Sequence, residues 1–116
     1  VKDAAKVFKA LSDVTRLRIL KMLEQRPLCV CEIQYVLKGS QPNVSHHLKT
    51  LSEAGLLESK KEGLWISYRL ASGNGLQPLR ASALALVRRA LADDPVVRRD
   101  REIVRAVNRF EITLRK

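Results

Sequence analysis

With 116 residues, 46% of them hydrophobic, the chain suffices for one folded domain and is too short for two, which excludes a disordered tail and a multidomain assembly. No apolar run approaches the roughly 18–20 residues that span a bilayer, and the first residues, Val1-Lys2-Asp3, lack the apolar block of a signal peptide, so a cytoplasmic protein is expected. Lys and Arg number 22 against 12 Asp and Glu, a net charge of +10, and aromatic residues make up only 4%; the surplus attracts a polyanion, and with few rings to stack single strands, duplex DNA is the expected one.

Residues 3–10 repeat apolar positions at helical spacing and predict a first helix. Ser12 is expected to cap the second, with Asp13 at the positive end of its dipole. Leu17, Leu20 and Leu23 supply a core face, and Pro27 closes that segment. The run "CEIQYVLKG" predicts a short third helix with Ile33, Val36 and Leu37 on one side and Gly39 as its left-handed C-cap. Ser40 caps the next helix, Pro42 sits in its first turn where a missing N–H is harmless, and Gly55 ends it. Val44, Leu48 and Leu51 turn inward. "LLESKKEGLWISYRL" reads as two strands around a Lys-Glu-Gly turn, with Leu64, Ile66, Tyr68 and Leu70 on one face. Two further helices are expected, over about 76–92 and from the Asp94-Pro95 cap to the chain's end. The fold class is mainly α with a small β-hairpin, in one domain over 1–116.

A short helix, a tight turn and a second helix with a polar outer face, over about 31–53, make a helix-turn-helix, and the hairpin at about 56–70 adds a wing. In that arrangement the second helix enters the major groove. Gln41 and Asn43 can pair bidentately with adenine, and Ser45 and Thr50 can serve bases or phosphates. Lys49, Lys60 and Lys61 suit phosphates, and Gly63 lets the wing tip turn tightly. His46 and His47 point about 100° apart on a helix, so groove or phosphate contact is expected of them, or packing of one beneath the wing, rather than joint metal binding.

Both cysteines of the chain, Cys29 and Cys31, stand two positions apart in "PLCVCEIQYVL". A structural pair, a redox couple and a soft-metal trap all fit that spacing. Thiolates select soft acceptors, but positions i and i+2 of a regular helix lie roughly 200° apart. A chelating pair must therefore sit ahead of the helix, or unwind its first turn. A disulfide across one intervening residue would be strained.

The combination "ALSDVTRLRIL…LCVCEI…SQPNVSHHLKTLSEAGLL…KKEGLWISYRL", spanning about residues 4–70, resembles the ArsR/SmtB family of bacterial metal-responsive repressors. The resemblance implies a homodimeric winged helix that leaves its operator when metal binds, repressing a metalloid-resistance operon. It implies As(III) or Sb(III) as effector, held by Cys29 and Cys31. Many arsenite-responsive relatives have a third cysteine where this chain has Gln34, which puts the affinity in question more than the identity. Same-family sensing of cadmium, of lead or of thiol oxidation is the alternative. Zinc-type members use histidine on the last helix, and residues 76–116 hold none.

Apolar faces on the terminal helices are the expected dimer interface: Val7 and Phe8 from the first, Leu84, Val87 and Leu91 from the fifth. Ile103, Val107, Phe110 and Leu114 would add a heptad-like seam. No enzyme is expected, because the chain has neither a phosphate-cradling glycine loop nor a Ser or Cys beside a general base.

Overall fold

The computed structural model describes residues 1–115, with side chains placed through Ile112. Ten elements follow in order: α1 (Lys2–Leu11), α2 (Val14–Leu23), β1 (Leu28–Cys29), α3 (Val30–Leu37), α4 (Gln41–Glu53), β2 (Leu57–Glu62), β3 (Trp65–Leu70), α5 (Pro78–Ala90), α6 (Pro95–Ala106) and α7 (Arg109–Arg115). The strands form an antiparallel sheet of order β1-β3-β2. With α3, α4 and the β2–β3 hairpin in succession, the molecule is a winged helix-turn-helix, mainly helical as its sequence leads one to expect.

The core lies where α2, α3 and α4 meet. Ile19, Leu20, Met22, Ile33, Leu48 and Leu51 are at most 1% exposed, each contributing about 1.5–3 kcal/mol of burial. Arginines then fasten the outer helices. Arg18 grips the buried Asp100 with two bonds of 2.8 Å, holding α6 on α2. Arg80 donates to the Ala54 carbonyl at 2.8 Å and to both oxygens of Asp3, tying α5 to α1 and to the end of α4. Arg16 donates to the Ala10 and Lys9 carbonyls, satisfying the free end of α1.

Several local expectations are corrected. Asp13, not Ser12, caps α2: its carboxylate accepts from the Arg16 N–H at 3.0 Å, while the Ser12 hydroxyl donates back to Lys9 at the end of α1. The left-handed residue after α3 is Lys38, at φ 56°, and Gly39 is not left-handed. The hairpin turns on Gly63-Leu64, with Glu62 opposite Trp65 and positive φ at Gly63 alone, the type II′ pattern. Leu64 and Ile66 stay exposed, whereas Ser67, in register with Cys29 of β1, is buried. Finally, the last helix is not continuous. Val107 is extended, Asn108 caps α7 through its bond from the Glu111 N–H at 2.9 Å, and the heptad-like seam is broken there. The Leu114 side chain lies outside those described.

Ser40 caps α4 with Pro42 in its first turn, Gly55 is left-handed after it, and Asp94 caps α6 ahead of Pro95. Residue chemistry and backbone demand coincide at those three places.

Candidate nucleic-acid interface and thiol site

α4 divides cleanly by exposure. Val44, Leu48 and Leu51 are buried, and Gln41, Asn43, Ser45, His46 and Lys49 are exposed on the opposite side. Thr50 is half-buried and donates its hydroxyl to the His46 carbonyl at 3.1 Å. Lys60, Lys61 and Gly63 stand exposed on the hairpin. Among the residues predicted to contact DNA, His47 alone is turned inward. It is 9% exposed, and its Nδ1 lies 3.1 Å from the Arg16 guanidinium. Arginine can only donate, so Nδ1 accepts and the ring is neutral with its proton on Nε2. Burial holds the His47 pKa below its usual value against the pull of Asp13, 3.9 Å away. Burial also opposes ionisation of Asp13, but the Arg16 N–H and the neighbouring charges outweigh it and hold that carboxyl low.

The two thiols converge. Cys29 ends β1 in an extended conformation (φ −86°, ψ 166°) and is the N-cap of α3, whereas Cys31 lies inside the first turn. Because Cys29 stands outside the helix, the divergence of i and i+2 does not apply, and the sulfurs come to 2.7 Å. A reciprocal capping box fixes the arrangement: the Cys29 N–H donates to Glu32 Oε1 at 2.9 Å, and the Glu32 N–H points back at the Cys29 sulfur. Glu32 is held in turn by Arg26 at 3.0 Å. Arg26 also donates to the carbonyls of Val104 and Val107 at the end of α6.

Cys29 is buried and Cys31 half-buried, both as free thiols. Burial first, then the contact with Cys31 and the charge of Glu32, push the Cys29 thiol up to about 12. Cys29 is therefore a neutral thiol rather than a reactive thiolate. As a donor set the pair offers two soft sulfurs on one side of the chain, which suits a thiophilic ion or metalloid that displaces their protons. Among the described residues, no group of three or more His, Cys, Asp or Glu is placed to hold a metal ion. Gln34 stands beside the pair, lining two hollows that meet at Cys31.

Two features of this site were not foreseen from the sequence. One is β1, whose register sets Leu28 opposite Tyr68 and Cys29 opposite Ser67. The other is α7, which folds back over the wing. Arg109 lies 4.5 Å above the Trp65 ring, and Phe110 meets that ring edge-on with centroids 5.0 Å apart. The Asn108 cap was the readable signal for α7; a two-residue strand leaves none.

The residues expected at a dimer interface separate in the structure. Val7, Val87 and Val107 are buried inside the protomer, so they serve its core rather than a partner. Leu84, Leu91 and Ile103 pack against that core while remaining partly open. Phe8 is 59% exposed, and Leu86 beside that group is 56% exposed.

Residues 13–59 match the model of a family described as bacterial regulatory protein, arsR family. The arsenical resistance operon repressor of Escherichia coli is 48% identical over 66 residues, 56% of each chain. A cadmium resistance transcriptional regulatory protein CadC homolog of Staphylococcus aureus is 44% identical over 69 residues, 59% of this chain and 57% of that one. The chain thus spans little more than half the length of these two relatives. The solution structure of Mb0332 from Mycobacterium bovis is a homodimeric winged helix-turn-helix DNA-binding domain and a possible ArsR-family regulator. It superposes with a TM-score of 0.66 at 32% identity, covering 80% of this chain and 81% of that one.

Proposed function

The chain belongs to the arsR family of bacterial regulatory proteins and is a DNA-binding transcriptional regulator rather than an enzyme, and from that premise we propose that it is a homodimeric repressor of a metalloid-resistance operon, released when As(III) or Sb(III) bonds to Cys29 and Cys31. The observation that carries this reading is the convergence of the two free sulfurs to 2.7 Å. A shared atom about 2.3 Å from each thiolate, a typical soft-metal distance, holds them roughly 3.4–3.8 Å apart at ordinary bond angles, so binding spreads the pair by about an ångström. The exposed face of α4 then reads bases through Gln41, Asn43, Ser45 and Thr50. His46, Lys49, Lys60 and Lys61 serve phosphates, and Gly63 shapes the wing tip. Exposed Phe8 and Leu86, with the partly open Leu84 and Leu91, offer the apolar surface for a second copy.

The thiol pair sits where it can act on both DNA-reading parts. Cys29 pairs with Ser67 on the wing, and Cys31 lies in α3, which packs on α4. Spreading or rotating the sulfurs shifts wing and helix together. With half-sites about 34–36 Å apart, a small rotation in each protomer costs much affinity. Reversing occupancy from about 99:1 to 1:99 requires roughly 5.5 kcal/mol of preference for the released form.

The test is release of the protein from its own promoter fragment, followed by fluorescence anisotropy under reducing conditions during titration with arsenite, antimonite, cadmium and zinc. Release by arsenite or antimonite that disappears in Cys29→Ser and Cys31→Ser is the expected result; undisturbed binding overturns the reading. Release by cadmium alone favours the second reading, a soft divalent sensor, which two sulfurs also serve and which the cadmium-resistance relative supports. Burial raises the Cys29 thiol, which makes that sulfur slow to oxidise, since the thiolate is the reactive form.

A further inference from the structure

Resting on the reading of Lys60 and Lys61 as phosphate contacts, we propose that α7 is a positioning element of the DNA-reading surface: it holds the outer half of the wing in place, and Arg26 fixes α7 in turn. What the two lysines can contact depends on where the tip of the hairpin stands, and the sheet alone does not determine that.

The wing is anchored at its base only. There β1 pairs with β3 at Ser67 and Tyr68, and Tyr68 and Leu70 pack against the core. From Lys61 to Ile66 the two strands pair only with each other. Apolar support is missing there as well: Ile66, on the face that Tyr68 shares, is 49% exposed, and Leu64 at the turn is 95% exposed. A hollow of about 250 Å³ is lined by both, together with Cys31 and Gln34 of α3. A two-stranded hairpin is marginally stable alone. A tip held by its own ladder therefore spreads its lysines over many positions, and ordering them on DNA costs affinity.

Support comes from the other face, through α7. Glu62 and Trp65 stand opposite one another across the strands, as do Lys60 and Ser67, so all four side chains share that face. The Arg109 guanidinium lies over the Trp65 ring, 4.5 Å from its centre, and 3.8 Å from the Glu62 carboxylate; Phe110 meets Trp65 edge-on at 5.0 Å. Two consecutive residues thereby hold both strands of the tip. Their helix is anchored in turn, since Ile112 is buried and α7 packs on α3. Its hinge is the extended Val107. Arg26 donates to the Val107 carbonyl at 2.8 Å and to the Val104 carbonyl at 3.1 Å, while its other terminal nitrogen donates to Glu32 at 3.0 Å. Glu32 is the carboxylate that accepts from the Cys29 N–H. A change at that cap thus reaches the wing tip through Arg26 and α7 as well as through β1.

The experiment is a mutant cycle on the full chain, read by fluorescence anisotropy on its own promoter fragment at several salt concentrations and without effector. Phe110 is 58% exposed, so truncating it leaves the core intact. Phe110→Ala is expected to weaken operator binding by up to about tenfold. In that background Lys60→Ala should change little, whereas in the unaltered protein it lowers the salt slope by about one; Phe110→Tyr should restore both. Arg26→Lys keeps a charge for Glu32 without the fork that reaches two carbonyls. It should make the chain's single tryptophan, Trp65, more mobile in time-resolved anisotropy, although Arg26 bonds to no residue of the wing. A purely structural role would shift the urea midpoint and leave the two penalties additive. Additive penalties overturn the proposal while the lysine contact stands. Unchanged Trp65 mobility in both Phe110→Ala and Arg26→Lys overturns it equally. Lys60→Ala without effect in the unaltered protein removes the contact itself and overturns both readings.

Discussion

At the scale of single residues, three side chains carry more than one duty. Cys29 is a strand residue, a helix cap and half of the thiol pair. Serine is a better N-cap than cysteine, so Cys29→Ser should keep the fold while removing the sulfur, which makes it a clean functional probe. His47 is neutral between Arg16 and Asp13. Its folded pKa is below its usual 6.5, so the unfolded chain binds the proton first as pH falls. The stability that His47 contributes is therefore present above about pH 6.5 and is lost as pH falls from there through the folded value. Urea unfolding of His47→Gln between about pH 5 and 8 should show a flatter stability profile than the parent; Asp13 acts only in a lower window. Arg26 binds Glu32 and two carbonyls that end α6. Arg26→Ala leaves a buried carboxylate without its partner and should lower the unfolding free energy by about 2–4 kcal/mol in the same assay.

At the scale of elements, the legible boundaries were those where one residue meets one backbone demand. Ser40 with Pro42, Gly55, and Asp94 with Pro95 each announce a helix end through their own chemistry. What misled was a choice between neighbours. Gly39 looked like the left-handed residue, yet the chain places Lys38 there at φ 56°. A side chain in that region costs about 1 kcal/mol or more, so Lys38→Gly should raise the thermal midpoint by a few degrees in calorimetry. β1 left no trace because two residues cannot show an alternation, and only the register with Tyr68 and Ser67 creates it. The break at Val107–Asn108 was hidden by apolar spacing that runs on through it. Arg26, distant in sequence, takes the carbonyls that a continuing helix would need. Of the candidate site, the exposed face of α4 was readable from its polar stripe. The inward turn of His47 was not, because it depends on where Arg16 of another helix lies.

At the scale of the whole molecule, a protomer of 46 × 32 × 25 Å is comparable in size with a half-site spacing of about 34–36 Å, as the proposed dimer requires. With a net charge of +10, affinity for any duplex should fall steeply with salt. Lys49→Ala and Lys60→Ala should each reduce the slope of log K against log salt by about one and weaken all sequences alike. Asn43→Ala should instead cost about 1–3 kcal/mol on the preferred sequence and little on random DNA. Anisotropy titrations at several salt concentrations separate the two behaviours.

The shared position of Cys29 has one more consequence. The residue that would bond the effector lies in register with Ser67 in the wing's own sheet, so the two events share one strand. By thermodynamic reciprocity, whatever factor the effector takes from operator affinity, the operator takes from effector affinity. On the proposed reading, regulator seated on its operator is the population least sensitive to effector. Each added operator copy raises the effector dose at which half of the regulator lets go, and the threshold of the response becomes a property of the genome as well as of the protein.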